Sequence, residues 1–581
     1  MNHSGFAPRR RWEKENPDKT LVTDLRQGLI KTHRLDISPI TCELLVNRGL
    51  TDVDEVHDFI FPELSSIPDP FLMADMDKAV DRIVRAVASR ERIWIYGDYD
   101  VDGITSVATL LLFLSALGVA PRFYIPDRIK EGYSLNAEAV RSIHAQGADL
   151  IITVDSGISN HDEIRLAKEL GIDVIVSDHH EVGETLPPAY AILNPKRRDC
   201  RFPFKDLAGV GITFNLVIAV RKRLRDEGHF QDLPNLKRYL DLVALGTVAD
   251  IVPLRGENRI FVKHGLTALG EDTRPGIVAL REIAGVKRGN VDATAISFRL
   301  APRLNASGRI GNAGQSVRLL VTDDYTEALS LARDLESENQ KRQRMEEDVL
   351  RQALDLIEAN GMLQGRRSIV LAHEGWHPGV VGIVASRLVD RHCRPVVLMT
   401  LKDGLAKGSA RSIGGFHLYQ GLSKLEDLML GFGGHKYAAG LTIRAENVQT
   451  FTDRFDLVVS SMTSEQDFVP TIRIDAEITL SDIKKHNLLH ETKLLAPFGG
   501  GNPEPVFLCR GLVPGESRVV GDNHLRLVFK EKNVRYNAIG FGLGGLFHAA
   551  ADMVDTVFSV RESQWDRGGM CELFIRDLKA I

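Results

Sequence analysis

Ile93-Trp94-Ile95-Tyr96-Gly97-Asp98-Tyr99-Asp100-Val101-Asp102-Gly103 is an apolar run that ends in three carboxylates at alternate positions and closes on a glycine. A short apolar run bounded by polar residues predicts a buried strand. Three like charges held this close repel one another, so a chain that keeps them together calls for a cation. Two later segments repeat the design: Asp149-Leu150-Ile151-Ile152-Thr153-Val154-Asp155-Ser156-Gly157 and Asp173-Val174-Ile175-Val176-Ser177-Asp178-His179-His180. Each predicts a strand that delivers an acid to its carboxyl end.

Apolar patterns from Ile104 to Leu117, Asn136 to Gln146 and His161 to Leu170 predict helices between these strands. The order βαβαβ, with right-handed crossovers, makes a parallel sheet whose strands share one polarity. The crevice outside their carboxyl ends is where such sheets bind ligands. Asp98, Asp100, Asp102, Asp155, Asp178, His179 and His180 are thereby expected on one rim, and Asp241-Leu242-Val243-Ala244-Leu245-Gly246-Thr247-Val248-Ala249-Asp250 adds a further buried acid. Carboxylates with one or two imidazoles suit manganese or magnesium better than structural zinc. There are too many for one ion. Two ions roughly 3.5 to 4 Å apart, bridged by Asp155, fit the count and point to phosphate-ester hydrolysis.

The pattern Asp100-x-Asp102, Asp155, Asp178-His179-His180 and Asp250 resembles, in order and spacing, the four motifs of the DHH phosphoesterases. Gly97 to Ser106, Ala244 to Asp250, and Arg303-Leu304-Asn305-Ala306-Ser307-Gly308-Arg309 extend the resemblance to the bacterial single-strand-specific exonucleases of that family, from about residue 40 to the end. The resemblance implies a metal-dependent 5′-to-3′ exonuclease that degrades single-stranded DNA to nucleoside 5′-monophosphates in repair and recombination, with Mn2+ or Mg2+, two ions, as cofactor. It implies Asp98, Asp100, Asp102, Asp155, His179, His180 and Asp250 as catalytic residues. Of these, Asp100, Asp102, Asp155, His179 and Asp250 would ligate metal, with His180 as donor to the phosphate. Single-stranded DNA is the implied partner, joined by a single-strand binding protein and a repair helicase. Members of another branch cleave short oligonucleotides or cyclic dinucleotides, and inactive replication-associated relatives have lost ligands. One departure stands out. Many members place a histidine four residues before the acid equivalent to Asp100, where this chain has Tyr96. A phenol titrating near pH ~10 is a poor manganese ligand, so Asp98 or water is expected to complete that site.

With 581 residues, 44% of them apolar and 26% charged, the chain is long enough for three or four domains. The longest apolar stretch, Val107 to Ala120, is too short to span a bilayer and predicts a buried helix. Met1 to Asp18 is basic and polar rather than a signal peptide, and Cys42, Cys200, Cys393, Cys509 and Cys571 lack metal-ligand spacing, so a cytoplasmic protein with free thiols is expected. A net charge of −5 excludes binding of nucleic acid by bulk charge. It leaves local basic clusters: Arg122, Arg128 and Lys130, then Lys196-Arg197-Arg198, and Lys341-Arg342-Gln343-Arg344.

Residues 1–40 lack clear periodicity and are expected as a loose arm with a short strand; a catalytic domain is expected over 41–324, with the Arg303 to Arg309 loop near its end. A charged, sparsely apolar helix over 325–362 is expected to bridge to a second α/β domain over 363–465. That domain holds Gly408-Ser409-Ala410-Arg411 and Gly431-Phe432-Gly433-Gly434-His435-Lys436, glycines that at a helix start bare N–H groups to a phosphate. The resemblance identifies it as the DHH-associated domain and implies Arg303, Asn305, Ser307, Arg309, Ser409, Arg411 and His435 as substrate-binding residues. Over 466–581, five or six short strands between Gly and Pro turns predict a small barrel, which the resemblance makes an OB-fold. Gly540-Phe541-Gly542-Leu543-Gly544-Gly545 matches G-x-G-x-x-G, but no helix or spaced acid follows it.

Overall fold

A computed structural model describes residues 10–581 apart from 129, 133, 229–231, 272, 290, 522, 532–533 and 564–570. Strand β1 (Arg11–Lys14) is the short strand expected near the start, and it pairs in parallel with Thr471–Ile474. The rest of the arm is not loose. It forms helix α1 (Lys19–His33) and leads into α2 (Pro39–Asn47) and α3 (Val53–Ile60), the three capped by Asp18, Ser38 and Asp52, whose side chains accept from the first-turn N–H groups. Only Leu25 and Leu29 of α1 are buried, which is why its period is faint in the sequence. They share a core with Leu44, Leu45, Val56 and Ile60, and with Phe507, Leu527, Phe558 and Leu573 from the far end of the chain.

The first α/β sheet contains β2 (Ile93–Tyr96), β3 (Arg122–Tyr124), β4 (Leu150–Val154), β5 (Asp173–Ser177) and β6 (Ala191–Leu193), all parallel, in the order β3-β2-β4-β5-β6. The chain leaves β2 outward to β3, then returns to β4 on the other side. The carboxyl ends of β2 and β4 therefore flank the point where strand order reverses, the place such sheets open a crevice. The expected helices are present as α5 (Val101–Ala116), α6 (Ala137–Ala145) and α7 (His161–Glu169), and α4 (Met76–Ala88) precedes β2. Two more, α8 (Gly209–Asp226) and α9 (Leu240–Ala249), bury α5 with Val210, Ile212, Leu242 and Leu245, and Asp250 is the residue at the end of α9. Among the described residues no helix is long and apolar enough to cross a membrane.

Arg303 to Arg309 lies in a helix, Ala301–Ile310, not a loop. Its polar composition is misleading because its hydroxyl and amide groups bond inside the fold: Ser307 Oγ donates to Leu304 O at 2.8 Å, and Asn305 Oδ1 accepts from Val101 N at 3.2 Å. The long helix Tyr325–Ala359 buries Ala328, Leu331, Ala332 and Leu335 in the first core, and Val349, Ala353 and Ile357 in the second domain. That second domain is a five-stranded sheet of β7 (Ile369–His373), β8 (Val396–Lys402), β9 (Leu405–Arg411), β10 (Met429–Gly434) and β11 (Ala438–Arg444), in the order β10-β11-β9-β8-β7. The glycines at 431–434 thus sit in edge strand β10 rather than at a helix start. C-terminal strands β12 (Thr471–Ile474) and β13 (Ala476–Glu477) are followed by β14 (Phe507–Leu512), β15 (Pro514–Val520), β16 (His524–Glu531), β17 (Val534–Gly540), β18 (Val554–Glu562) and β19 (Cys571–Ala580). All but β12 form one sheet, β13-β14-β18-β19-β17-β16-β15, and β19, its longest strand, was not foreseen.

Candidate metal centre and phosphate pocket

Glycines let the first acidic loop fold back on itself. A Cβ on Gly103 would lie 2.6 Å from Asp98 O, and one on Gly97 would lie 2.3 Å from a Val107 methyl. Asp100 caps α5 by accepting from Gly103 N at 3.1 Å. Two residues on, Asp102 is fully buried and accepts from Gly209 N at 2.7 Å and Val210 N at 2.8 Å, donors at the start of α8 that have no partner within the helix. A Cβ on Gly209 would stand 2.8 Å from Asp155 Oδ1 and 3.0 Å from Asp102 Oδ2. Gly209 therefore lets two acids approach the same helix end, a part the sequence reading missed. Its signal was the Gly209-Val210-Gly211 start of a long apolar helix.

Asp155 follows β4 with φ +58°, left-handed backbone stabilised by its N–H bond to Ser177 O at 2.9 Å. His179 Nδ1 lies 3.1 Å from Leu207 O, which fixes that nitrogen as the donor and turns Nε2 toward the acids. Nε2 lies 3.1 Å from Asp155 Oδ1, 3.7 Å from Asp250 Oδ2 and 4.0 Å from Asp102 Oδ2. Asp178 stays outside this group. Its oxygens accept from Ile158 N and His180 N, and one lies 2.7 Å from His180 Nδ1, so it orients that ring.

Burial, then the neighbouring carboxylates, push Asp102 up to about 7 and Asp250 up to about 9, and hold Asp98 and Asp155 well above the carboxylate range. Burial, with His180 beside it, brings His179 down to about 4, a neutral imidazole. Asp98 Oδ1, Asp155 Oδ1 and Asp250 Oδ2 are buried without a hydrogen-bond partner. Three overlapping donor groups fall within 4.8 Å: Asp98, Asp100 and Asp155; Asp155, His179 and His180; Asp102, His179 and Asp250. Oxygen-rich donors with orphaned lone pairs and no thiolate fit hard divalent cations.

Tyr96 does not face this cluster. It donates to Ser134 O at 3.0 Å and stacks on Tyr124 with centroids 5.3 Å apart, on the opposite face of the sheet. Asp98, Asp100 and Asp155 form their donor group without it.

Across the crevice three guanidinium groups collect. Arg309 donates to Gly379 O at 3.4 Å, and burial followed by repulsion from Arg128 and Arg342 brings it down to about 10. Arg411 donates to Ser409 Oγ at 2.9 Å, and burial and Arg128 lower it in the same way. Arg128 lies over the Tyr99 ring at 5.0 Å. Gly382 leaves the floor open, since a Cβ there would be 2.9 Å from both Arg411 and Ser409. Other expected contacts are placed differently. Arg303 is ion-paired to Glu336 at 2.7 Å, Asn305 holds the acidic loop through Val101 N, and Ser307 is fully buried against Ser316 at 2.8 Å. His435 is exposed, and it lies near Glu181, next to His180, whose carboxyl is lowered first by its bond to Lys196 and only in smaller part by His435. Of the basic clusters, Arg197 is spent on Asp75 and Asp199, and Arg342 on Glu346.

Residues 92–247 match the N-terminal domain of the DHH family, 365–461 the DHHA1 domain, and 474–577 the RecJ OB domain. The single-stranded-DNA-specific exonuclease RecJ of Bacillus subtilis is 40% identical over 578 residues, covering 98% of this chain and 71% of that protein. The Escherichia coli RecJ is 38% identical over 551 residues, 91% of this chain and 92% of that one. The chain belongs to the RecJ family. A crystal structure of Thermus thermophilus RecJ in complex with Mn2+ superposes with TM-score 0.81 at 32% identity, over 98% of this chain and 79% of that one, and its Mg2+ complex with TM-score 0.77. The expected architecture of DHH domain, bridging helix, DHHA1 domain and OB domain is therefore the architecture of this RecJ-family chain.

Proposed function

We propose that the chain is a metal-dependent exonuclease that removes nucleoside 5′-monophosphates from the 5′ end of single-stranded DNA, in repair and recombination. The observation that supports it most is the opposition of an acid cluster with unpaired oxygens and a pocket of three arginines across one crevice. Asp100, Asp102, Asp155, His179 and Asp250 would hold two ions, Mn2+ or Mg2+, with Asp155 shared and Asp98 completing one site. When bound, the ions supply Lewis acidity toward water and a phosphoryl oxygen. His179 offers a neutral Nε2 lone pair because Leu207 O holds the Nδ1 proton. His180, whose proton affinity is raised against its burial by the bond to Asp178, would donate to the phosphate. Arg309, Arg411 and Ser409, with Arg128 added, hold the terminal phosphate by charge-assisted bonds. Asn305 and Ser307 shape the loop and helix beneath them, Arg303 braces that helix, and His435 meets the backbone near the ions.

The OB domain would hold the strand between cuts by stacking and charge. A single-strand binding protein and a repair helicase are the partners we propose from the family resemblance, in the cytoplasm, with domain divisions near residues 324, 362 and 465. Single strands labelled at either end and digested in Mn2+ test the reading. The 5′ label should appear first, as a mononucleotide. Release from the 3′ end, or cleavage restricted to very short oligonucleotides, would refute it.

A further inference from the structure

Asp250 is held unlike its neighbours. Asp102 accepts two backbone N–H groups, and Asp100 caps a helix. Asp250 Oδ2 has no hydrogen-bond partner, so main chain must aim it. That main chain is strained. Ile251, the next residue, has φ +63°, a left-handed backbone that a β-branched side chain avoids. Its side chain is 76% exposed, so burial does not offset the strain. Such a conformation persists only where its surroundings over-determine it.

Those surroundings belong to the C-terminal part of the chain. Leu254 N donates to Gly500 O at 2.7 Å, and Arg255 Nε donates to Gly501 O at 2.8 Å. A Cβ on Gly500 would stand 2.7 Å from Ile251 O and 3.0 Å from Val252 O, so the two backbones pack directly. The turn from Gly499 to Asn502 is closed by reciprocal N–H bonds of 2.9 and 3.2 Å. Beneath it the fully buried Asn502 donates to Leu495 O and Pro497 O, both at 2.8 Å, and accepts from Arg48 Nε at 3.0 Å. Arg255 closes the circuit by donating to Arg48 O at 3.0 Å.

We infer that the Gly499–Asn502 turn, which lies between β13 and β14 of the C-terminal sheet, is a positioning element for Asp250, so that this part of the chain shapes the metal centre. The inference rests on the proposed reading of the acid cluster as that centre. The turn fixes the 251–254 loop, the loop fixes Ile251 in its strained conformation, and Ile251 fixes the direction of the Asp250 carboxylate toward His179.

The test is calorimetric titration of the metal-free full-length protein with Mn2+, for wild type, Gly500→Ala, Arg255→Ala and Gly545→Ala. Gly545 has open space around it and serves as the control. Gly500→Ala should weaken Mn2+ binding about ten-fold at one site, as loss of an outer support does. It should lower kcat with KM for single strands unchanged, and Gly545→Ala should match wild type. In an Asp250→Asn background the Gly500→Ala effect should vanish, because its target is gone. Wild type that binds no Mn2+ overturns the metal reading itself. If wild type binds and folded Gly500→Ala binds equally well, or if its effect survives in Asp250→Asn, the positioning role is overturned. Should Gly500→Ala fail to fold, Arg255→Ala decides by the same measurements, since it removes two bonds to the circuit without adding bulk.

Discussion

The acid rim of the first sheet and the arginine pocket opposite it are frustrated in opposite senses. On the rim, buried carboxylates face one another with oxygens unpaired. In the pocket, burial and then the neighbouring Arg128 lower the proton affinity of both Arg309 and Arg411. Arg309 feels Asp100, yet the two sets do not collapse into salt bridges, because strand ends, helix caps and the packing of Gly379 against Arg309 hold them apart. A site that leaves both charges unsatisfied is complementary to a ligand carrying both signs: divalent cations and a phosphate. The proposed reading gives activity to the rim and end-recognition to the pocket, and substitutions should separate them.

The largest effect belongs to Asp155, which appears in two donor groups. Asp155→Ala should cut Mn2+-dependent turnover by at least about a hundred-fold while the protein stays folded, since losing one crowded carboxylate removes repulsion. Retention of a tenth of wild-type turnover would sink the shared-ligand role. The same crowding sets a pH signature. Folded Asp102 and Asp250 keep protons up to about 7 and about 9, whereas in the unfolded chain they release them near pH ~4. The folded state then binds more protons over that window, so the metal-free protein should lose stability as pH rises through it. Thermal melts in chelator from pH 5 to 9 should fall more steeply for wild type than for Asp155→Ala. Equal slopes would mean that the acids are not mutually strained.

Next in size is the pocket. Arg411→Ala should leave cleavage of 5′-hydroxyl strands near wild type and reduce the preference for 5′-phosphate strands by about ten-fold or more, the worth of one charged hydrogen bond. A preference that survives the substitution would place the phosphate elsewhere.

The rim was legible because each of its parts is local: an apolar run fixes the strand, and the next residue is the acid, so Asp98, Asp155 and Asp178-His179-His180 could be placed from the sequence. Gly209 could not, since its meaning is a distance of 2.8 Å to an acid 54 residues earlier in the chain. The pocket was half legible. Arg309, Ser409 and Arg411 were candidates through family resemblance, while Arg303 and Ser307 shared their motif yet turn into the scaffold. The helices at residues 19–60 were missed over 19–33 for a related reason: their apolar faces pack on strands more than four hundred residues away, and no local period records that. Strand β19 follows residues 564–570, outside the described part, and no strand was expected there.

Tyr96 is the sharpest test of where the rim ends, because it occupies the position where many DHH proteins carry a histidine. Its hydroxyl donates to Ser134 O and lies 3.4 Å from Asn136 Nδ2, and burial followed by the nearby Tyr124 and Glu131 pushes its phenol far up. A phenol so placed stays protonated and serves the packing between β2, β3 and the start of α6. Tyr96→Phe should therefore cost about 1 kcal/mol of stability, the net worth of one buried hydrogen bond. Turnover and its dependence on Mn2+ concentration should not change. Tyr96→His asks the complementary question. A histidine at this position would have to swing its ring through the strand to reach Asp98, Asp100 and Asp155, so it should destabilise the fold without tightening Mn2+ binding. Tighter binding in Tyr96→His, or a metal requirement altered in Tyr96→Phe, would show that the rim extends through the strand and that Asp98 does not complete the site alone.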